Sequence, residues 1–133
     1  MNLAYQFWIH AEWIPRLGPL EGILNTASAH RVHHAANVEY LDANYGGVLV
    51  VFDRLFGTYR AEQDAVPIRY GLVHPLLTHN PLKIAFHQFG PLLQDLRSAR
   101  SWREVVGYLF GPPGWRPDGQ GSTTQELRAR LAA

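Results

Sequence analysis

The sequence predicts an all-helical chain, and three local signals carry that reading. Asn80-Pro81 opens an amphipathic stretch in the manner of a helix N-terminus. Ser101 and Glu104 stand at capping-box spacing directly before VVGYLF. In SAHRVHHAAN, residues 28–37, the positions His30, His33 and His34 follow the i, i+3, i+4 spacing that puts three side chains on one helical face.

Taken in order, residues 2–14 (NLAYQFWIHAEWI) read as a helix stopped near Pro15, with Trp8 and Trp13 placed where a membrane interface would want them. The abrupt apolar start suggests the last turns of a longer helix, and hence a fragment. Gly18-Pro19 restarts the chain, and Leu20 to Leu24 form a short apolar element that Asn25 and Thr26 break. Ser28 is the expected N-cap of the histidine helix, which should run over 28–36. Residues 37–45 read as loop. In GGVLVVFDRLFGTY the β-branched run suits a strand as well as a helix; helix is preferred, ended by Gly57.

Residues 60–79 carry no regular pattern. The helix opened by Asn80-Pro81 should kink or break at Gly90-Pro91. GPPGWRPDGQG reads as a turn followed by a link, and the tail from Ser122 as a short exposed helix.

Composition narrows the function. A formal charge of +1 over 133 residues argues against a nucleic-acid-binding protein. With no cysteine, disulfides, thiolate zinc sites and iron–sulfur clusters are excluded, so any metal must be held by nitrogen and oxygen. No run of about 18 apolar residues is present, so no complete transmembrane helix is expected.

Three imidazoles on one face suit a metal ion better than a hydrophobic core, because neutral imidazole is a common ligand of iron, zinc and copper. The bland alternative is a solvated polar face. Upstream, Gln6 and His10 are i, i+4 partners in an otherwise apolar segment, where a histidine alone is more often a satisfied core or interface residue. His74, His79 and His87 lie at a Pro75 junction, a loop-to-helix junction and an amphipathic helix, and none reads as a ligand.

The stretch from Ala4 to Tyr59 resembles the fatty acid hydroxylase (sterol desaturase) superfamily, in its alkylglycerol monooxygenase-like branch. H-x-x-H-H followed by N-Y-G-G-V-L and D-R-L-F-G-T carries the likeness, and PIRYGLVHPL and FGPPGWRP extend it to about residue 115. The resemblance implies the C-terminal part, residues 1–115, of a helical integral-membrane enzyme with a non-haem di-iron centre, and residues 116–133 as linker and tail. Its short and amphipathic helices would follow a partial transmembrane helix. Such an enzyme takes O₂, electrons from an external redox partner (a reduced pterin in some members) and a lipid, which it hydroxylates or desaturates. By the same resemblance, His30, His33 and His34 are iron ligands and His10 joins them. Glu12 belongs to the catalytic site as a support rather than a direct ligand. Ala11, Ala29 and Ala35 replace residues usual in the branch, but none of these changes removes an expected ligand.

The family's other histidine clusters have no counterpart here, so the chain should supply about half of a di-iron site. Two other readings stand beside this one: a free-standing histidine-based zinc or membrane protein, and an inactive fragment.

Overall fold

The computed structural model describes residues 2–133, with side chains from Leu3 onward. It is helical, with seven α-helices and no β-strand among the described residues beyond isolated bridges. The chain divides into two units, residues 1–73 and 74–133.

In the first unit, α1 (Asn2–Ile9) ends five residues before the expected stop at Ile14. The ring N–H of His10 donates to the Gln6 carbonyl at 2.6 Å, one of the carbonyls in the last turn of the helix. Two turns then lead to Pro15, through Ala11 N–H to Trp8 O and Ile14 N–H to Ala11 O. The Leu20–Leu24 element is a 3-10 turn (Gly18–Leu20) followed by tight turns.

The histidine helix, α2 (Ala27–His33), starts one residue earlier and ends sooner than expected, with His34 as its C-cap. Its N-cap is Thr26, whose hydroxyl accepts from Ala29 N–H at 3.2 Å, and not Ser28. The reason is burial. Ala27, Ser28, Ala29 and Val32 form the inward face, so Ser28 sits inside the helix. Ala36 N–H then leaves the helical path to bond Arg69 O at 2.6 Å, and Ala35 bridges Tyr70.

Of the VLVV run only Val51 joins a helix. Val48 O accepts from Asn25 N–H and Val50 N–H donates to Ile23 O, so residues 48–50 make a short antiparallel contact. Helix α3 (Val51–Phe56) follows and ends at Gly57, which takes the left-handed conformation (φ 74°) suited to glycine.

The two motifs that flank this run are one structural device. The Asp53 carboxylate accepts from Tyr45 N–H and Gly46 N–H, both at 2.8 Å, and from the Thr58 hydroxyl at 2.7 Å. A side chain at Gly46 would collide with Leu49 O, so the turn needs glycine there. Buried Asn44, at φ 54°, bonds Ala29 O and both backbone groups of Arg60, which ties α2 to the residues after α3. Val32, Ala35, Tyr40 and Ala43 form the core beneath α2, with Val66 and Ile68 against it.

In the second unit, the stretch opened by Asn80-Pro81 forms α4 (Pro81–Phe86) and α5 (Phe89–Ser98), with Asn80 capping Leu82 and Lys83 N–H. The break falls at His87-Gln88, ahead of the expected Gly90-Pro91, which lie inside α5. Pro91 has no N–H to give the residue 87 carbonyl, so it is accommodated in the first turn of a new helix. Helix α6 (Trp102–Phe110) is capped by Ser101, while Glu104 reaches Arg100 N–H rather than Ser101 N–H, leaving the capping box half made. The tail forms α7 (Thr124–Ala132) with a complete Thr123–Glu126 capping box, a T-x-x-E signal that sequence reasoning passed over.

Candidate metal centre

Two segments distant in sequence build the site. Ile9, 1% exposed, anchors the end of α1, and the Tyr5 hydroxyl donates to Asn25 O just ahead of α2. His10 is thereby set against the outer face of α2. His30 Nε2 lies 2.9 Å from His10 Nε2 and 3.0 Å from His34 Nε2. The three ligand atoms all fall within 4.8 Å of one another. Nitrogens bound side by side to one ion at about 2.1 Å stand about 3 Å apart, which is the spacing of His30 Nε2 from each of its two neighbours.

Proton counting points the same way. His10 donates its Nδ1–H to Gln6 O, so in the neutral ring its Nε2 carries a lone pair. If His30 Nε2–H donates to that lone pair, the same atom cannot accept from His34. Hydrogen bonding among neutral rings therefore satisfies only one of the two contacts at His30 Nε2, whereas a metal ion draws on all three lone pairs. His30 Nδ1 is buried without a partner, a mark of a group not kept for packing alone. Burial first, then the rings of His34, His10 and His33, push the His30 imidazole down to about 4. Burial, then His33 and His10, also lower His34. Both rings are neutral near pH 7, which is the form that ligates.

His33 stands beside this trio but outside it. Its ring stacks on that of His30 with centroids 5.6 Å apart, and its Nδ1–H donates to Ala43 O at 3.1 Å. That bond orients the ring and leaves Nε2 as its remaining donor atom, the arrangement usual in metal-bound histidine. Glu12 is not in the trio. It lines a cavity of about 470 Å³ with Ile9, His10, His30, His34 and Tyr70. Burial first, then the charge of Glu12 and a hydrogen bond to it, raise the Tyr70 phenol.

Sequence reasoning missed Tyr70 and Arg31. PIRYGLVHPL drew notice as a motif without its tyrosine being singled out, and Arg31 stood only as a spacer between histidines. In the second unit, His87 is held in its own turn, donating to Ile84 O at 2.8 Å and lying 3.1 Å from Gln88 Nε2. His74 and His79 are exposed and join no cluster of potential ligands among the described residues.

Residues 1–58 match the family model named Fatty acid hydroxylase. Over 116 residues, 87% of this chain, the sequence is 47% identical to the human alkylglycerol monooxygenase. It is 37% identical over 122 residues to the alkylglycerol monooxygenase of Caenorhabditis elegans. A shorter match, 43% over 44 residues and a third of the chain, is to the ornithine lipid hydroxylase OlsE of Rhizobium tropici, of which it covers 13%. The chain spans about a quarter of the length of the first relatives it matches, 26% of the human protein and 24% of the nematode one. No solved structure matches it. On these similarities the chain belongs with the fatty acid hydroxylases, in the branch of the alkylglycerol monooxygenases.

Proposed function

We propose that this chain contributes the His10, His30, His33 and His34 ligands to the di-iron centre of a membrane lipid hydroxylase that cleaves a C–H bond with O₂. The single observation that carries the reading is the convergence of three imidazole nitrogens from two segments at the wall of a cavity. Iron held there supplies the O₂ chemistry, while the chain's own residues hold it and shape the space beside it. His10, His30 and His34 form one ligand set, and His33, oriented by Ala43 O, offers Nε2 to the second ion. Glu12 supports the site by holding Tyr70 at the cavity wall. Ile9 and Leu72 give that wall an apolar face for a lipid chain.

Four histidines do not saturate two irons, and the longer relatives leave room for the remaining ligands beyond this chain. Electrons come from an external donor, and a reduced pterin is the one to assay first. Membrane association is supported by exposed Leu3, Phe7 and Trp13, each more than four-fifths accessible. No described helix is long and apolar enough to cross a membrane.

The test is a graft. Residues 1–115 replace the matching segment of the human alkylglycerol monooxygenase, and lipid-dependent oxygen consumption and iron content are measured in membranes. Activity with two irons, lost on His34→Ala, supports the reading. The grafted protein folding and inserting without binding iron would sink it. The chain alone, in detergent, should take up about one divalent ion and show no turnover.

A further inference from the structure

We propose that Arg31 and Glu62 are positioning residues that hold His10 in reach of His30 and His34. The inference rests on the metal-centre reading for its purpose, but its geometry stands alone. His10 lies just past the end of α1, tied to that helix through its ring bond to Gln6 O. Its neighbours in sequence are held from the other side by Arg31. One guanidinium nitrogen, Nη1, donates to Ile14 O at 2.9 Å and to Glu12 O at 3.4 Å. The other two nitrogens grip Glu62 at both oxygens, Nε to Oε1 at 3.2 Å and Nη2 to Oε2 at 2.7 Å.

This division of labour needs arginine. The two-point contact with Glu62 fixes the plane of the guanidinium, and the fixed plane aims the third nitrogen at the carbonyls. The pair is well enclosed, with side chains 12% and 17% exposed. Glu62 is steadied in turn. Burial raises its carboxyl, but the hydrogen bonds from Arg31 and Ser28 and the charges of Arg31 and Arg16 outweigh that and hold it low, so it stays ionised. Since Arg31 directly follows His30 on α2, the helix that carries two ligands also carries the clamp for the third. Movement of the 10–14 segment relative to α2 would break the clamp and the ligand set together.

The experiment is a double-mutant cycle on Co(II) binding, read by visible absorption of the chain in detergent, with thermal melting followed in parallel. Arg31→Ala should weaken Co(II) by more than tenfold, close to the loss in His10→Ala, and the double variant should be no weaker than either single one. Arg31→Lys, which keeps the charge without the fork, should stay weak. Glu62→Gln serves if Arg31→Ala does not fold, and the same lack of additivity with His10→Ala is expected. Wild-type affinity in Arg31→Ala, full additivity with His10→Ala, or restoration by lysine would each overturn the proposal.

A metal-free arm separates the two claims. The rings of His10 and His30, with centroids 4.3 Å apart, should give proton NOEs in the wild type that Arg31→Ala loses. If the wild-type chain takes up no Co(II), the metal reading falls, and this arm still decides the clamp.

Discussion

Residues 2–73 and residues 74–133 each carry histidines on or beside helices, yet only the first unit draws them together. The apolar side chains that are fully shut off from solvent, among them Ile9, Val32, Tyr40 and Val50, all belong to the first unit. Helices α4 to α7 bury none of their residues, and Leu77, Leu82, Phe89 and Phe110 are largely exposed. The first unit is cross-braced by buried or half-buried groups that bond across long stretches of sequence, through Asn44, Tyr40 and Arg31. In the second unit most of the described side-chain bonds are caps and turns, beside an ion pair from Arg116 to Asp95. A ligand set needs donors held to within a fraction of an ångström. Side chains on a braced core meet that requirement, and side chains on exposed amphipathic helices do not.

The sharpest break of this comparison is at the ligands. His30→Ala or His34→Ala should weaken divalent metal binding by about 100-fold or more, since loss of a merely supporting partner already costs about 10–100-fold. His79→Ala and His87→Ala should leave affinity unchanged, and titration with Co(II) reads both. His33→Ala sharpens the picture further. If His33 serves the second ion, its loss should spare binding of the first and reduce iron content only in the grafted enzyme.

Next in size is the core. Val32→Ala, at a position with no exposure, should cost about 2 kcal/mol in urea unfolding. Tyr40→Phe should cost about 1–3 kcal/mol, because Gln63 N–H and Val66 O both lose a partner at 2.9 and 3.2 Å. Leu93→Ala on α5, half exposed, should fall within about 0.5 kcal/mol of the wild type. A large loss there would mean that the second unit's helices are covered by something.

The caps come third. Thr26→Ala and Thr123→Ala should each cost about 1 kcal/mol. Only the first should also loosen metal binding, since α2 carries the ligands.

Last comes an effect of pH. The metal-free chain should lose stability as pH falls from about 6.5 toward 4. His30 is held down to about 4 against an ordinary 6.5, so in that window the unfolded chain binds the proton first and is favoured. Urea midpoints at pH 7.5 and 4.5, compared between wild type and His30→Ala, measure it. A midpoint shift as large in His30→Ala as in the wild type would remove His30 as the cause.

Much of the site was legible because its signals are local. His30 and His34 meet since four residues make one helical turn, and Gly57 stops α3 since only a left-handed residue fits there. The misreadings share a cause. Ser28 was the better-placed cap by composition, but burial of the Ala27–Val32 face turned it into a core residue and left the cap to Thr26. The 2–14 helix ended early too, with Ala11 N–H turning to Trp8 O and the carbonyls of Glu12 and Ile14 taken by Arg31 from α2.

From the sequence alone follow the helical class, the restriction of any metal to nitrogen and oxygen ligands and the face shared by His30 and His34, all of which depend on residue type and spacing of a few positions. Only the tertiary structure decided that the His10 ring, reached from the sequence by resemblance alone, comes within 2.9 Å of His30, that Asp53 reaches back to the Tyr45-Gly46 turn, and that Arg31 grips both Glu62 and the Ile14 carbonyl. These are contacts between segments that the chain brings together only once its core is buried, and spacing along the sequence carries no trace of them.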